Sequence, residues 1–257
     1  MSSAFHVAIP ARHGSTRLPG KMLAQIQGKP MLQWVYERAL AAGASDVSIA
    51  TDDEGILAAA RGFGAAARMT SAAHASGTDR LAELAAIERW PDSDIVVNVQ
   101  GDEPLIPPAV IRQVADLLES DPEAAIATLA TPVESLAEFL DPNAVKVVAD
   151  SKGRALYFSR APMPWNRDGA PAGLSSQRMF AGARRHVGIY AYRVGALHRL
   201  AALPPTPLEK TERLEQLRAL ENGLVIRVGD AAEKPGPDVN TAEDLQRVAG
   251  LLADRRK

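Results

Sequence analysis

The chain has 257 residues, no cysteine, and 29 Lys plus Arg against 31 Asp plus Glu, a net charge of −2. That length supports one large domain with its own core, the charge balance offers no basic excess for a nucleic-acid backbone, and the absent cysteine excludes disulfides, thiolate nucleophiles and cysteine-ligated metal centres. No apolar run approaches the roughly 18 residues of a membrane span, and Met1 to Gly14 reads as a first strand instead of a signal peptide, so a soluble, cytoplasmic protein is expected.

Strands and helices alternate through the first 130 residues. Phe5 to Ala11 (FHVAIPA) is a continuous apolar run, the mark of a strand buried on both faces. Pro30 to Ala42 carries Met31, Leu32, Val35, Ala39 and Leu40 at helical spacing, and Gly43 stands where the helix should stop. Strand-like Asp46 to Thr51, helical Glu54 to Gly62, a short strand at Ala65 to Met69 and an amphipathic helix from Thr78 to Trp90 follow. Asp94 to Gln100 (DIVVNVQ) is a further strand, Pro107 to Ser120 a helix and Ala124 to Ala130 another strand. Such alternation predicts an α/β fold with a mostly parallel sheet, which binds ligands at the carboxyl ends of its strands. Beyond Pro132, strands are expected at Ala144 to Ala149, Ala155 to Ser159, Arg185 to Arg193 and Leu224 to Val228. Pro162 to Gly182 reads as a loop, Glu209 to Glu221 as one helix, and Thr241 to Ala253 as a closing helix capped by Thr241. No repeat or linker divides the chain. We expect one domain over 1–257: a core to about residue 130, a small substrate lobe to about 240, and the closing helix.

The loop after the first strand is the most informative stretch. Arg12, Arg17 and Lys21 place three cations within ten positions, among Gly14 and Gly20. Glycines permit close backbone approach, and successive N–H groups can cradle an anion, so the loop suits a triphosphate. It is not a P-loop: five residues separate Gly14 from Gly20-Lys21, and Met22 occupies the position of the magnesium-binding hydroxyl. Gly62 to Ala67 fits a loose G-x-G-x-x-A pattern but ends a helix, so no dinucleotide role is expected. Asp92-Ser93-Asp94 has the form of a glycosyltransferase metal motif, yet it precedes its strand and reads as a solvated turn. Asp102 and Glu103 follow the buried strand through the tight turn at Gly101, where a carboxylate can hold a hard cation or cap the next helix.

The loop, read as P-A-R-x-x-S-T-R-L-P-G-K, resembles that of the 3-deoxy-manno-octulosonate (Kdo) cytidylyltransferases. Six further stretches are similar to the same family, in order over nearly the whole chain: Ser76 to Ala82 (SGTDRLA), Asn98 to Pro104 (NVQGDEP), Asn143 to Val148 (NAVKVV), Tyr157 to Arg160 (YFSR), Arg185 to Tyr190 (RHVGIY) and Leu214 to Arg218 (LEQLR). The resemblance implies a Rossmann-like nucleotidyltransferase sheet with helices on both faces and a small mixed sugar-binding lobe. It also implies CTP and Kdo as substrates, CMP-Kdo and pyrophosphate as products for lipopolysaccharide synthesis, Mg2+ as cofactor, and a homodimer.

By the same resemblance Ala11, Arg12, Ser15, Arg17, Lys21, Ser76, Arg80 and Gln100 bind the nucleotide. Arg12, Lys21 and Asp102 serve catalysis, and Gln100, Arg160, His186, Tyr190, Glu215 and Gln216 contact the sugar acid. Asp102 is the implied principal metal ligand. The family's second ligand, an aspartate, is replaced here by Asn240, while Asp238 stands where the family has glycine. Asn240 offers a neutral carbonyl oxygen, and Asp238 could restore the missing charge. Read alone, His186 could be a hydrogen-bonded structural histidine, Tyr190 simple core, and Glu215 and Gln216 solvent-facing. Rival readings are CMP transfer to a sialic acid or an 8-amino Kdo, and a catalytically weak nucleotide-binding regulator favoured only by Asn240.

Overall fold

The computed structural model describes residues 4–14, 17–74, 76–169 and 180–254. The first strand, β1 (His6–Ala11), lies inside the sheet, third from one edge. It pairs in parallel with β4 (Asp46–Thr51) on one side and β6 (Ile95–Asn98) on the other, Val7 meeting Val47 and Val97 in register. A strand covered by helices on both faces favours apolar residues on both, which accounts for the buried run Val7-Ala8-Ile9; His6, at its amino end, pairs instead with Asp46 and Asp94. Val7 and Ile9 pack with the helices α1 (Met31–Ala41), α4 (Pro108–Glu119) and α9 (Ala242–Asp254). Ala8, on the opposite face, packs with α3 (Gly77–Glu88), α6 (Val194–Ala202) and α8 (Gln216–Glu221).

The sheet continues beyond β4 to β5 (Ala66–Met69), after α2 (Glu54–Gly62). On its other side the order is β6, β10 (Arg184–Arg193), β7 (Ile126–Pro132) and β11 (Ile226–Asp230). β10 is antiparallel to both neighbours, whereas β11 runs parallel to β7. The hairpin β8 (Lys146–Ala149) and β9 (Ala155–Ser159) attaches through Lys146 opposite Arg185. A two-residue hairpin, β2 (Gln25–Ile26) and β3 (Lys29–Pro30), precedes α1. Both large core clusters draw residues from each half of the chain, so the second half extends the first instead of forming a core of its own.

Gly43 closes α1 with a left-handed φ of +72°, as its place after the apolar stripe predicts. Thr241 caps α9: its hydroxyl accepts from the Asp244 N–H, and Asp244 accepts from the Thr241 N–H. The sequence reading of one helix over Glu209 to Glu221 is corrected. α7 (Pro207–Glu212) ends at Arg213, whose φ of +53° turns the chain before α8 begins. Two tertiary bonds from Arg218 to Glu209, at 2.5 and 2.8 Å, hold the halves folded against each other. Two helices escaped the sequence reading, α5 (Leu136–Leu140) and α6. The three-residue spacing of Val194, Leu197 and Leu200, all buried, was the available signal for α6.

Candidate nucleotide and sugar-acid site

Parallel strands deliver the loops after β1 and β6 to the same edge, where they meet the start of α3. There they enclose a cavity of about 620 Å³. Of the residues singled out in the sequence, Arg12, Arg17, Lys21, Ser76, Arg80, Gln100 and Asp102 line it. Ala11 is the fully buried last residue of β1 and fixes the start of the loop from behind. Ser15 lies outside the described residues. Gly101 is required by close packing, because a Cβ there would lie 2.9 Å from the Met22 sulfur and 3.1 Å from the Pro10 carbonyl oxygen.

The three loop cations are not equivalent. Lys21 is largely buried, and its Nζ donates to Asp102 Oδ2 at 2.6 Å and to the Val239 carbonyl at 3.3 Å. Arg17 donates to Asn240 Oδ1 at 2.8 Å. Arg12 is exposed on the cavity wall. Arg80, by contrast, is buried, with one guanidinium nitrogen 2.7 Å from Asp52 Oδ2 and another 2.5 Å from Thr70 Oγ1. Its charge is already balanced, so it serves as a rigid wall and hydrogen-bond donor more than as a phosphate clamp. Asp102 does not cap the following helix: Pro107 occupies the N-cap of α4, with no side-chain cap. The Val239 N–H donates to the Asp102 carbonyl at 2.9 Å, binding the segment 238–240 to the acidic turn. Burial, with Asp102 and Asp238 close by, pushes the Glu103 carboxyl up to about 8. Asp92 and Asp94 lie at the amino end of β6, where Asp94 accepts from His6 at 2.9 Å, away from the cavity.

A second cavity of about 140 Å³ adjoins the first, and Gln100, Tyr190, Glu215 and Gln216 line it. The register of β10 against β7 shifts between Val187 and Tyr190. Bulges of this kind re-aim side chains beside functional sites. Arg160 and His186 line neither cavity. Arg160 spends its donors on the carbonyls of Pro142 (2.9 Å) and Glu212 (2.7 Å). The ring of His186 packs behind Tyr190, with centroids 5.2 Å apart and Nε2 2.9 Å from Thr128 Oγ1. Residues missed by sequence reasoning are His74 in the first cavity and Thr78, Asn98 and Tyr192 in the second. His74 pairs with Glu83 at 2.5 Å, and its place just before the Ser76-Gly77 motif was the only hint.

Burial beside Arg185 lowers the His186 imidazole to about 3 from an ordinary 6.5. The unfolded chain therefore binds the extra proton between those values, and stability falls as pH drops through that window. His186→Gln should lose less melting temperature between pH 7 and pH 4 than the wild type. Equal losses in thermal scans would show that His186 does not contribute to acid sensitivity.

A cation-lined loop at the carboxyl edge of a doubly covered sheet defines a nucleotidyltransferase, and the cytidylyltransferase family model matches residues 6–228. The 3-deoxy-manno-octulosonate cytidylyltransferase of Thioalkalivibrio sulfidiphilus is 55% identical over 250 residues, 97% of this chain and 99% of that protein. The enzyme of the same name from Pseudomonas fluorescens is 56% identical over 252 residues, with 98% and 99% covered. A solved structure of CMP:2-keto-3-deoxy-manno-octonic acid synthetase complexed with CTP superposes with a TM-score of 0.87 at 43% identity, covering 98% of this chain and all of that one. The chain belongs to the 3-deoxy-manno-octulosonate cytidylyltransferase family. A 4-diphosphocytidyl-2C-methyl-D-erythritol synthase, 14% identical with a TM-score of 0.64 and 97% and 100% covered, shares the fold.

Proposed function

We propose that this protein transfers CMP from CTP to the anomeric hydroxyl of Kdo, giving CMP-Kdo and pyrophosphate. The observation that carries this reading is the pair of adjoining cavities. One is lined by cations and sized for a nucleotide; the other is smaller, polar and continuous with it through Gln100 and Glu215. Transfer of a nucleotidyl group asks mainly for positioning and charge neutralisation. Arg12, Arg17 and Lys21 neutralise the triphosphate and the departing pyrophosphate. Ser76 and the start of α3 border the nucleotide, while Tyr190, Glu215 and Gln216 orient the sugar acid. Arg160 and His186 support that wall from behind.

The oxygens of Asp102, Asn240 and Asp238 form a hard donor set that fits magnesium, which favours few protein ligands plus substrate phosphates and water. Asp102 and Asn240 would hold the ion, with Asp238 bonded to the Asn240 amide. Bound there, it supplies positive charge to the phosphates during transfer. The substitution of asparagine for the family's aspartate leaves an oxygen donor in place, so it does not favour a regulatory role.

Among the described residues no helix is long and apolar enough to cross a membrane, and the reading sets the reaction in the cytoplasm. It also includes a homodimer. Among the described residues β9 pairs with β8 alone, and Leu156 on that outer strand is 62% exposed. An unpaired edge with an exposed leucine suits a second copy of the chain. Light scattering after size exclusion tests the dimer, and a monomer at micromolar concentration overturns it. The function is tested by pyrophosphate release with CTP, Mg2+ and a panel of Kdo, 8-amino Kdo and sialic acid. Turnover with Kdo supports the reading. Turnover confined to another acid keeps the CTP site and reassigns the sugar, and CTP binding without turnover favours the regulator.

A further inference from the structure

We propose that Glu215 is the general base of the reaction, taking the proton of the attacking anomeric hydroxyl. This rests on the reading of the two cavities as nucleotide and sugar-acid subsites. The attacking oxygen must stand where those subsites meet. Among the described residues three line both cavities: Gly77, Gln100 and Glu215. Gly77 has no side chain, and the Gln100 amide is not basic. Glu215 alone of the three can accept a proton. The other carboxylate on the cavity walls, Asp102, is bound to Lys21 at 2.6 Å. His74 lines only the nucleotide side and is tied to Glu83.

The surroundings of Glu215 suit this task. Ser76, the cap of α3, lies with its hydroxyl 3.4 Å from Glu215 Oε1. Arg218 approaches to 4.0 Å, but Glu209 occupies its guanidinium through two shorter bonds. The carboxylate therefore feels a positive charge without being locked in an ion pair. Its other neighbours are Thr78 and Asp79 from α3, and Tyr190 and Tyr192 from β10. Burial raises the Glu215 carboxyl above its ordinary value; the Thr78 hydroxyl and Arg218 oppose that rise, while Asp79 and Glu209 add to it. Such a shift strengthens a carboxylate as a base.

The step balances. The anomeric oxygen forms a bond to the α-phosphorus, and its proton passes to the Glu215 carboxylate. The bond from the α-phosphorus to the bridging oxygen breaks, and pyrophosphate leaves with the electron pair. The protonated Glu215 returns its proton to water as products depart.

Glu215→Gln keeps the shape and removes the base. With CTP, Mg2+ and Kdo, the variant should lose about 100-fold or more in kcat, the range for a positioned base, and lose the acid limb of its pH–kcat profile. Its affinity for CTP, measured by calorimetry, should stay within about twofold, and its KM for Kdo should change far less than kcat. Glu215→Asp should recover part of kcat together with a shifted acid limb, and this variant decides the matter where the glutamine variant does not fold. A raised KM with kcat kept, or an acid limb unchanged in both variants, overturns the proposal and leaves Glu215 a sugar contact. That failure differs from failure of the functional reading, in which the wild-type protein itself does not turn over Kdo.

Discussion

Asp102→Asn is expected to lower CMP transfer by about 100-fold or more while the fold survives, the loss typical of removing one preorganised electrostatic group from an active site. The substitution preserves shape and removes one charge. Lys21 Nζ, held at 2.6 Å by Asp102 and at 3.3 Å by the Val239 carbonyl, then keeps only neutral partners. Its charge would bind the triphosphate more tightly in the ground state and pull Lys21 away from the 238–240 segment. On the proposed reading, magnesium would lose its principal carboxylate as well. The expected signature is a collapse of kcat with CTP affinity retained or increased, together with a raised magnesium requirement. Single-turnover kinetics over a magnesium series check this. Activity above a tenth of wild type at low magnesium would remove Asp102 from the reacting centre.

Lys146→Met is expected to cost about 3 kcal/mol of stability, because orphaned buried acceptors cost roughly 1–3 kcal/mol each and removing a buried charge returns part of that. Lys146 is fully buried, yet it lies on no cavity wall. Its ammonium donates to three backbone carbonyls, those of Asp141 (2.8 Å), Ala144 (2.5 Å) and Arg160 (2.8 Å). Burial pulls the ammonium below its ordinary value, although Asp141 and Glu212 support the charge. The side chain thus ties the approach to β8 to the end of β9, next to α7. For a chain of this size the loss corresponds to a fall in melting temperature of about 6–12 °C, at roughly 2–4 °C per kcal/mol. KM for Kdo should rise more than KM for CTP, because Arg160 and Glu212 brace the sugar side. A melting temperature within 2 °C of wild type would show that those carbonyls find other partners.

What could be read in the sequence was local. The uninterrupted apolar run of β1, the stop at Gly43, the Thr241 cap and the spacing of Arg12, Arg17 and Lys21 depend on a few adjacent residues. Each has its physical cause within that window. The family stretches likewise place residues at the carboxyl ends of β1 and β6, and the structure brings Ser76, Arg80, Gln100 and Asp102 to the same cavity. Strand order was not legible. A strand such as β10 can pair with several neighbours by its own sequence, and only packing sets it antiparallel between β6 and β7. Helix periodicity over Glu209 to Glu221 could not show the break at Arg213, because the bond from Arg218 back to Glu209 exists only once the chain has folded. Arg160 and His186 carry the chemistry of ligand contacts, yet a side chain's partner is chosen by what lies within reach. Here that is the carbonyls of Pro142 and Glu212 for the arginine, and Thr128 and Tyr190 for the histidine. The sequence by itself determined the α/β class, the cation-rich loop after β1 and the acidic turn, since these rest on short-range geometry and residue chemistry. The tertiary structure alone decided which charges are already paired and which residues touch both cavities, since long-range packing sets those distances.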